Sequence, residues 1–279
     1  MKSQKIKGKS FGCYMKTLYF CNRNCVIIAL LRTYNMKYVS LPDEKVHPLS
    51  FYLAMEEYVA HHLNGSDCFF MWQVEPTVIY GRNQVVENEV NLDYCREHGI
   101  HVIRRKSGGG CVYADMDNVM LSFITSEQNA GIAFNSFVNM VLLVLHRLGI
   151  KATGTSHNDI MIGDRKVCGT ACYQFGDGCI VHSTLLYDTN MEHMLHAITP
   201  GPEKLEKKGI QSVRQRITFL KDHTSKSLGE IKTMIRETLC EGEWLLTPAE
   251  VEKFTVDSLQ FTDEMTGGRN TTGVINCKP

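Results

Sequence analysis

The chain of 279 residues balances 30 Lys and Arg against 30 Asp and Glu, so no net charge points to nucleic acid or to an anionic membrane surface. Hydrophobic content of 43% and charged content of 22% suit a globular protein with one sizeable core. The eleven cysteines form no C-x-x-C pair and no zinc spacing with histidine, and read as reduced, buried thiols of a cytoplasmic protein. No apolar stretch is read as approaching the roughly 18 residues that a membrane helix needs.

Residues 1–35 stand apart, with seven basic residues, no acidic one and a short apolar run over 25–31. A signal peptide or basic organellar presequence has such a composition, but no small-x-small cleavage site follows. Met36-Lys37-Tyr38-Val39 reads as the natural start. The expected organisation is an upstream extension or disordered tail over 1–35, one folded domain over 36–262 and a disordered tail over 263–279.

Helical spacing of apolar residues predicts a helix over 49–63, closed by Asn64-Gly65. Two short strands follow, over 69–72 and 77–80, the second running into a polar loop, Gly81-Arg82-Asn83-Gln84. A helix is predicted over 91–98, stopped at Gly99, then strands over 101–103, 112–113 and 119–125. A long helix covers 133–148. Residues 159–162 and 166–170 form a hairpin across Gly163-Asp164. Another strand covers 179–186, and helices are expected over 205–208, 228–239 and 248–254. Strands neighbour strands without strict βαβ alternation, so the class is α+β, a mixed sheet flanked by helices.

The chain is organised around Arg104-Arg105-Lys106-Ser107-Gly108-Gly109-Gly110-Cys111-Val112-Tyr113. Three consecutive glycines cost backbone entropy and pack no side chain, so they suit a place where backbone approaches a ligand closely. Bare N–H groups beside three cationic side chains describe an anion-binding loop; a flexible turn with chance basic neighbours is the alternative. Asn158-Asp159 opens a strand, where the carboxylate could neutralise a metal or orient a cation, although Asn-Asp is also a turn pair. Lys166 either points to solvent or enters a site and pairs with an anion. His182 sits alone in an apolar strand, where a satisfied core histidine is commoner than a catalyst.

Taken together, these segments resemble the lipoate–protein ligase A family of the biotin/lipoate ligase superfamily. The resemblance is carried by the glycine loop, by Gly81-Arg82-Asn83-Gln84 and Asn158-Asp159, and by Arg165-Lys166-Val167-Cys168-Gly169-Thr170-Ala171. It continues in His182-Ser183-Thr184-Leu185-Leu186 and in Lys208-Gly209-Ile210-Gln211-Ser212-Val213-Arg214-Gln215-Arg216, in order from about residue 49 to 220. It implies the catalytic-domain fold of biotin and lipoate ligases, which is class II synthetase-like. The implied reaction uses ATP to convert lipoate to lipoyl-adenylate, then passes the lipoyl group to a lysine of an acceptor domain. The implied acceptors are lipoyl domains of 2-oxoacid dehydrogenase E2 subunits or a glycine-cleavage H protein; neither nucleic acid nor a membrane is involved.

By the same resemblance Lys166 is the catalytic lysine, meeting the carboxylate and α-phosphate. Arg105, Ser107, Gly108, Gly109, Gly110, Cys111, Val112 and Tyr113 would bind ATP or lipoate, with Arg105 on the phosphate or carboxyl group. Asn158, Asp159, Gly169, Thr170, Ala171 and His182 would complete the site, Asp159 with a possible Mg²⁺. Val78, Val112 and Val181 are expected to line the tunnel for the lipoyl chain.

Three departures stand out. Ala114 replaces the family's usual histidine before Asp115, Ser183 replaces a usual glycine and is expected to narrow the pocket, and only about 40 residues follow Leu239. The last leaves no room for a full C-terminal accessory domain, so a separate accessory subunit is conceivable. The alternatives are an octanoyl- or lipoyl-transferase working through a cysteine thioester, or a ligand-binding homologue without catalysis. No cysteine falls between Cys111 and Cys168, and Thr199-Pro200-Gly201 replaces the Asn-Pro-Cys-Gly turn of one such transferase, which favours adenylate chemistry.

Overall fold

The computed structural model describes residues 36–155, 159–198 and 216–264. Asn158, the expected helix over 205–208, the motif over 208–215 and the two terminal segments 1–35 and 265–279 lie outside the described residues.

Among the described residues the architecture is α+β, as expected, but the strands form two sheets rather than one. The larger sheet has the order β11-β1-β2-β6-β10-β9-β8-β7. Its strands are β1 (Met36–Ser40), β2 (Cys68–Trp72), β6 (Asn118–Thr125), β7 (Ala152–Gly154), β8 (Asp159–Ile162), β9 (Arg165–Phe175), β10 (Gly178–Leu186) and β11 (Cys240–Leu245). The smaller sheet places β3 (Thr77–Tyr80) between β4 (His101–Arg104) and β5 (Val112–Ala114). β3 is parallel to β4 and antiparallel to β5. The segment before the glycines and the segment after them therefore never pair with each other. The glycine loop crosses the end of β3 instead, directly over the loop that leaves that strand.

Every residue of β6 and β10 is buried, because helices cover both faces of the sheet. On one face lies α4 (Ala130–Arg147), with Phe137, Val141, Val144 and Leu145 against Val119, Leu121, Val181 and Leu185. The Asn129 side chain caps α4 by accepting from the Gly131 and Ile132 amides at 3.0 and 3.2 Å. This helix corrects the membrane expectation: its 18 residues are long and apolar enough to span a bilayer, but its apolar stripe packs in the core. On the same face, α6 (Leu228–Leu239) starts from a Ser227–Glu230 capping box.

On the opposite face lies α1 (Leu49–His61), with α7 (Pro248–Glu264) packed over it through Phe51 and Phe254. Covered by the sheet below and a helix above, α1 is apolar nearly all round, and its one fully buried charge is Glu56. The helix α7 extends past both the expected end at 254 and the expected domain boundary at 262. A third core lies beside the small sheet, where α3 (Leu92–Glu97) and α5 (Met191–Ala197) meet Val78, Val102 and Tyr113. The short helix α2 (Val86–Glu89), β7, β11 and α5 are elements that the sequence pattern did not disclose.

Candidate active site

Two cavities adjoin where the small sheet meets β8, β9 and β10. The larger, about 610 Å³, is walled by Val112, Tyr113, Asp159, Lys166, Met194 and Arg216 among others. The smaller, about 120 Å³, reaches under the glycine loop and is closed by Leu49, Leu53, Trp72, Ile79 and Met120. Gly110, Cys111, Val112, Lys166, Gly169 and Thr184 belong to both walls. Lys166 thus stands where the two cavities adjoin. A third cavity, of about 200 Å³ beside β1 and β11, shares no lining residue with these two.

The hairpin from β8 to β9 turns at Gly163, whose φ of +63° favours glycine, and brings Asp159 beside Lys166. The ammonium lies 2.7 Å from Asp159 Oδ1, and both side chains are about one-third exposed, at 35% and 32%. Lys166 therefore lines the two cavities and pairs with Asp159 rather than standing free in solvent. The segment after the undescribed residues joins β9 there: Ile217 bridges to Lys166, and the Thr218 amide donates to the Lys166 carbonyl at 2.9 Å. This pairing sets Arg216 on the wall of the larger cavity.

The cationic run before the glycines is engaged within the protein. Arg105 is buried, and its Nη2 donates to the carbonyls of Gly108 and Gly110, both at 2.7 Å. Its Nη1 donates to the Ile79 carbonyl at 3.1 Å and its Nε to Ser107 Oγ at 3.0 Å. The expectation that Arg105 reaches for a phosphate is corrected accordingly: the guanidinium folds the loop around itself. Lys106 pairs with Glu57 at 2.7 Å, and Arg104 stacks over Tyr80 while donating to the Arg82 carbonyl. Gly109 holds φ at +93°, and a Cβ on Gly81 would collide with the Gly109 carbonyl oxygen. The two loops interlock because each has a glycine at that point. Gln84 closes the arrangement, its Oε1 accepting from the Gly81 amide at 2.7 Å.

Beneath the loop runs a buried polar chain. Ser107 Oγ lies 2.7 Å from His182 Nε2, and His182 Nδ1 lies 3.1 Å from Glu56 Oε2. Ser122 Oγ donates to Glu56 Oε1 at 2.5 Å and accepts from Trp72 Nε1 at 2.8 Å. His182 is thus a satisfied buried histidine that also borders the smaller cavity. Ala171 is its strand partner on β9, as Thr170 is of Ser183 and Gly169 of Thr184.

Other expectations are revised. Val78 and Val181 are fully buried in separate cores, so of the three valines expected to line a tunnel, Val112 does so. Ser183 sits beside the Cys168 sulfur and, with His182, borders the smaller cavity. The Tyr113 hydroxyl is buried with no hydrogen-bond partner, and burial pushes its pKa well up. Asp115, after the departing Ala114, accepts from the Asp117 and Asn190 amides and fixes the start of α5. No group of three His, Cys, Asp or Glu among the described residues could hold a metal, and the Asp159 carboxylate is already paired.

Burial also pushes the thiols up, Cys111 to about 12 with the Arg105 charge acting in the opposite direction, and Cys168 to about 11. Cys172 is likewise pushed to about 12. None of these is a thiolate near neutral pH.

The family model of the lipoyl protein ligase A/B catalytic domain matches residues 48–240, more than half of the chain. This chain belongs to that family. Among ligase relatives, the lipoate-protein ligase LplJ of Bacillus subtilis is 34% identical over 184 residues, covering 65% of this chain and 56% of its own. Lipoate–protein ligase 1 of Staphylococcus aureus is 32% identical over 245 residues, covering 86% of this chain and 73% of its own. The chain thus spans little more than half of the first relative's length. A bi-partite lipoate protein ligase from Thermoplasma acidophilum, described with its E2 lipoyl domain as an archaeal lipoylation system, shares the fold with a TM-score of 0.73 at 22% identity. That match covers 86% of this chain and 96% of the archaeal one. A lipoate-protein ligase A solved with ATP bound gives 0.67 at 22% identity, covering 83% and 95%. The lipoyl ligase family match spans α1, both interlocked loops, the β8–β9 hairpin and β10, which are the elements that build the two cavities.

Sequence reasoning missed Glu56, Arg216 as a cavity residue, and the apolar end formed by Leu49, Leu53, Trp72, Ile79 and Met120. A signal for Glu56 was present. Its helical neighbours at i−4, i−3, i+3 and i+4 are Tyr52, Leu53, Val59 and Ala60, so it lies on an apolar face.

Proposed function

We propose that this chain is an ATP-dependent lipoate–protein ligase. The observation that carries the reading is Lys166, which lines both a smaller cavity that reaches Leu53, Trp72 and Met120 and a larger one that reaches Tyr113, Met194 and Arg216. A lipoyl chain fits the first, its dithiolane toward Leu53, Trp72 and Met120 and its carboxylate toward Lys166. ATP fits the second, beside Tyr113, Met194 and Arg216. The names of the curated relatives and the ATP-bound neighbour support these two substrates.

In the first step a lipoate carboxylate oxygen attacks the α-phosphorus. The new O–P bond forms as the bond to the bridging oxygen of the β-phosphate breaks, and pyrophosphate leaves. Two anions must meet, and Lys166 supplies a preorganised cation at their meeting point. Asp159 holds that ammonium in place while the site is empty. The interlocked glycine loops present backbone close to the phosphate, a shape that Arg105 maintains from inside.

In the second step the acceptor lysine, as free amine, attacks the acyl carbonyl. An amide forms as the amine nitrogen gives up one proton to solvent, and AMP departs with the bonding pair of the acyl–oxygen bond. The adenylate is already activated, so positioning and exclusion of water suffice and no enzyme nucleophile is required. The raised thiols of Cys111, Cys168 and Cys172 fit this better than a thioester route. We place the lysine on lipoyl domains of 2-oxoacid dehydrogenase E2 subunits or on a glycine-cleavage H protein. The archaeal neighbour, whose lipoylation system includes an E2 lipoyl domain, is bi-partite, and an accessory subunit for this chain is part of the proposal. Free thiols at Cys68, Cys111, Cys168 and Cys240 suit a reducing cytoplasm.

The test is pyrophosphate release from ATP by the purified chain with lipoate and a lipoyl-domain acceptor. Release that requires lipoate, with mass gain on the acceptor, supports the ligase. Modification from synthetic lipoyl-adenylate alone would make the chain a transferase that depends on another subunit for activation. Binding of lipoate and ATP without either reaction would leave a non-catalytic homologue.

A further inference from the structure

We propose that Glu56 is a positioning residue that sets the direction of the hydrogen-bond chain through His182, Ser107 and Arg105, and thereby the shape of the glycine loop. The carboxylate is fully buried, in α1, far along the sequence from the loop that it governs. A buried carboxylate is tolerated where donors converge on it, and two arms do so here.

The direction of one arm follows from its end. Arginine only donates, so Arg105 Nε gives its proton to Ser107 Oγ at 3.0 Å. With a carboxylate at Nδ1, a neutral His182 keeps its proton there and leaves Nε2, 2.7 Å from Ser107 Oγ, to accept the hydroxyl proton. His182 carries its proton on Nδ1 and gives it to Glu56 at 3.1 Å. The second arm, from Trp72 Nε1 through Ser122 to Glu56 Oε1, has the same polarity, because indole nitrogen only donates. Both arms end on one carboxylate, which accepts at every contact and can donate at none.

The loop end of the chain is where this matters. With Nε anchored on Ser107, the Arg105 plane is fixed, and Nη2 gathers the Gly108 and Gly110 carbonyls while Nη1 holds Ile79. The Trp72 end fixes one wall of the smaller cavity. Glu56 thus couples the floor of the apolar cavity to the loop above it. The effect on substrates rests on the ligase reading given above; the hydrogen-bond polarity does not.

The test compares the whole chain with Glu56→Gln and Ser107→Ala. Glutamine keeps the shape but can donate to His182 Nδ1 and reverse the imidazole tautomer. Nitrogen-15 shifts of the His182 ring in the unliganded protein are expected to show protonated Nδ1 and bare Nε2, and to lose that pattern in Glu56→Gln. Amide exchange at Gly108, Gly109 and Gly110 should quicken roughly tenfold in each variant. With ATP and lipoate, KM for ATP should rise about tenfold with a smaller change in kcat, and the double variant should lose no more than either alone. A protonated Nε2 in the unmodified protein overturns the proposal. So do additive losses, or a Glu56→Gln variant that is less heat-stable with unaltered shifts and KM. Should Glu56→Gln not fold, the ring shifts of the unmodified chain and the exchange rates of Ser107→Ala decide the same point. If the unmodified chain releases no pyrophosphate, the ligase reading fails, and the ring shifts still decide the role of Glu56.

Discussion

Gly169 leaves open the space that the Lys166 side chain occupies: a Cβ there would stand 2.9 Å from both Cε and Nζ. Gly169→Ala therefore pushes the ammonium off its position without touching the core. The rate of adenylate formation is expected to fall roughly tenfold, since small displacements of a charge-stabilising group are costly in rate. Thermal unfolding should be little changed. Single-turnover pyrophosphate release measures the first and calorimetry the second; an unaltered rate would mean that the position of Lys166 does not matter.

Lys166→Ala removes the cation altogether. We expect loss of adenylate formation by a factor of about 10² to 10³ or more, in line with removal of a preorganised charge-stabilising group. Because the side chain is partly exposed and its partner Asp159 can regain water, the fold should persist. Pyrophosphate release at the rate of the unmodified chain would remove Lys166 from the mechanism.

Gly109→Val should damage both the loop and ligand binding. With φ at +93° a β-branched residue is strained by about 1–3 kcal/mol, and its Cβ would press on Arg105 Nη2 at 3.0 Å. ATP binding by titration calorimetry is expected to vanish while the helices survive. Normal nucleotide affinity would show that the loop is a surface turn.

The thiols give a pH dependence. With Cys111 and Cys172 near 12 and Cys168 near 11, all three stay protonated at neutral pH, and alkylation should accelerate only in strongly alkaline solution. The folded state holds these protons more tightly than an unfolded chain with thiols near 9. The stability this gives is complete below about 9 and is lost as pH climbs toward 11–12. Cys111→Ser should keep most of the ligation rate. A loss of a hundredfold or more, with an acyl-enzyme seen by mass spectrometry, would restore the thioester route.

Much of this molecule is legible in its sequence where one period dominates. Helix 228–239 is found at those limits, as Leu228–Leu239, and the hairpin over Gly163 folds as read. The strand Cys240–Leu245 is not legible, because Glu241, Gly242 and Glu243 show no apolar alternation. They form an edge strand held by parallel pairing with Met36–Ser40, a partner some two hundred residues away. The glycine loop is legible as a loop, and it borders both cavities, but the destination of its arginine is not legible. Arg105 looks like a phosphate hand in sequence, and only the crossing of the loop over β3 turns its guanidinium inward onto carbonyls. Glu56 is hidden for a related reason. It is one of two adjacent glutamates, of which α1 buries Glu56 against the sheet and turns Glu57 to Lys106, and its apolar neighbours one turn away are the one local sign of the difference.

The most direct measurement is ATP-to-pyrophosphate turnover by the purified chain, with lipoate and a lipoyl-domain acceptor each omitted in turn. Pyrophosphate that appears only with lipoate, and acceptor mass that rises only when ATP is also present, is the expected result. Acceptor modification that needs an acyl-thioester donor and ignores ATP would contradict it, and would return Lys166 and its two cavities to transfer chemistry alone.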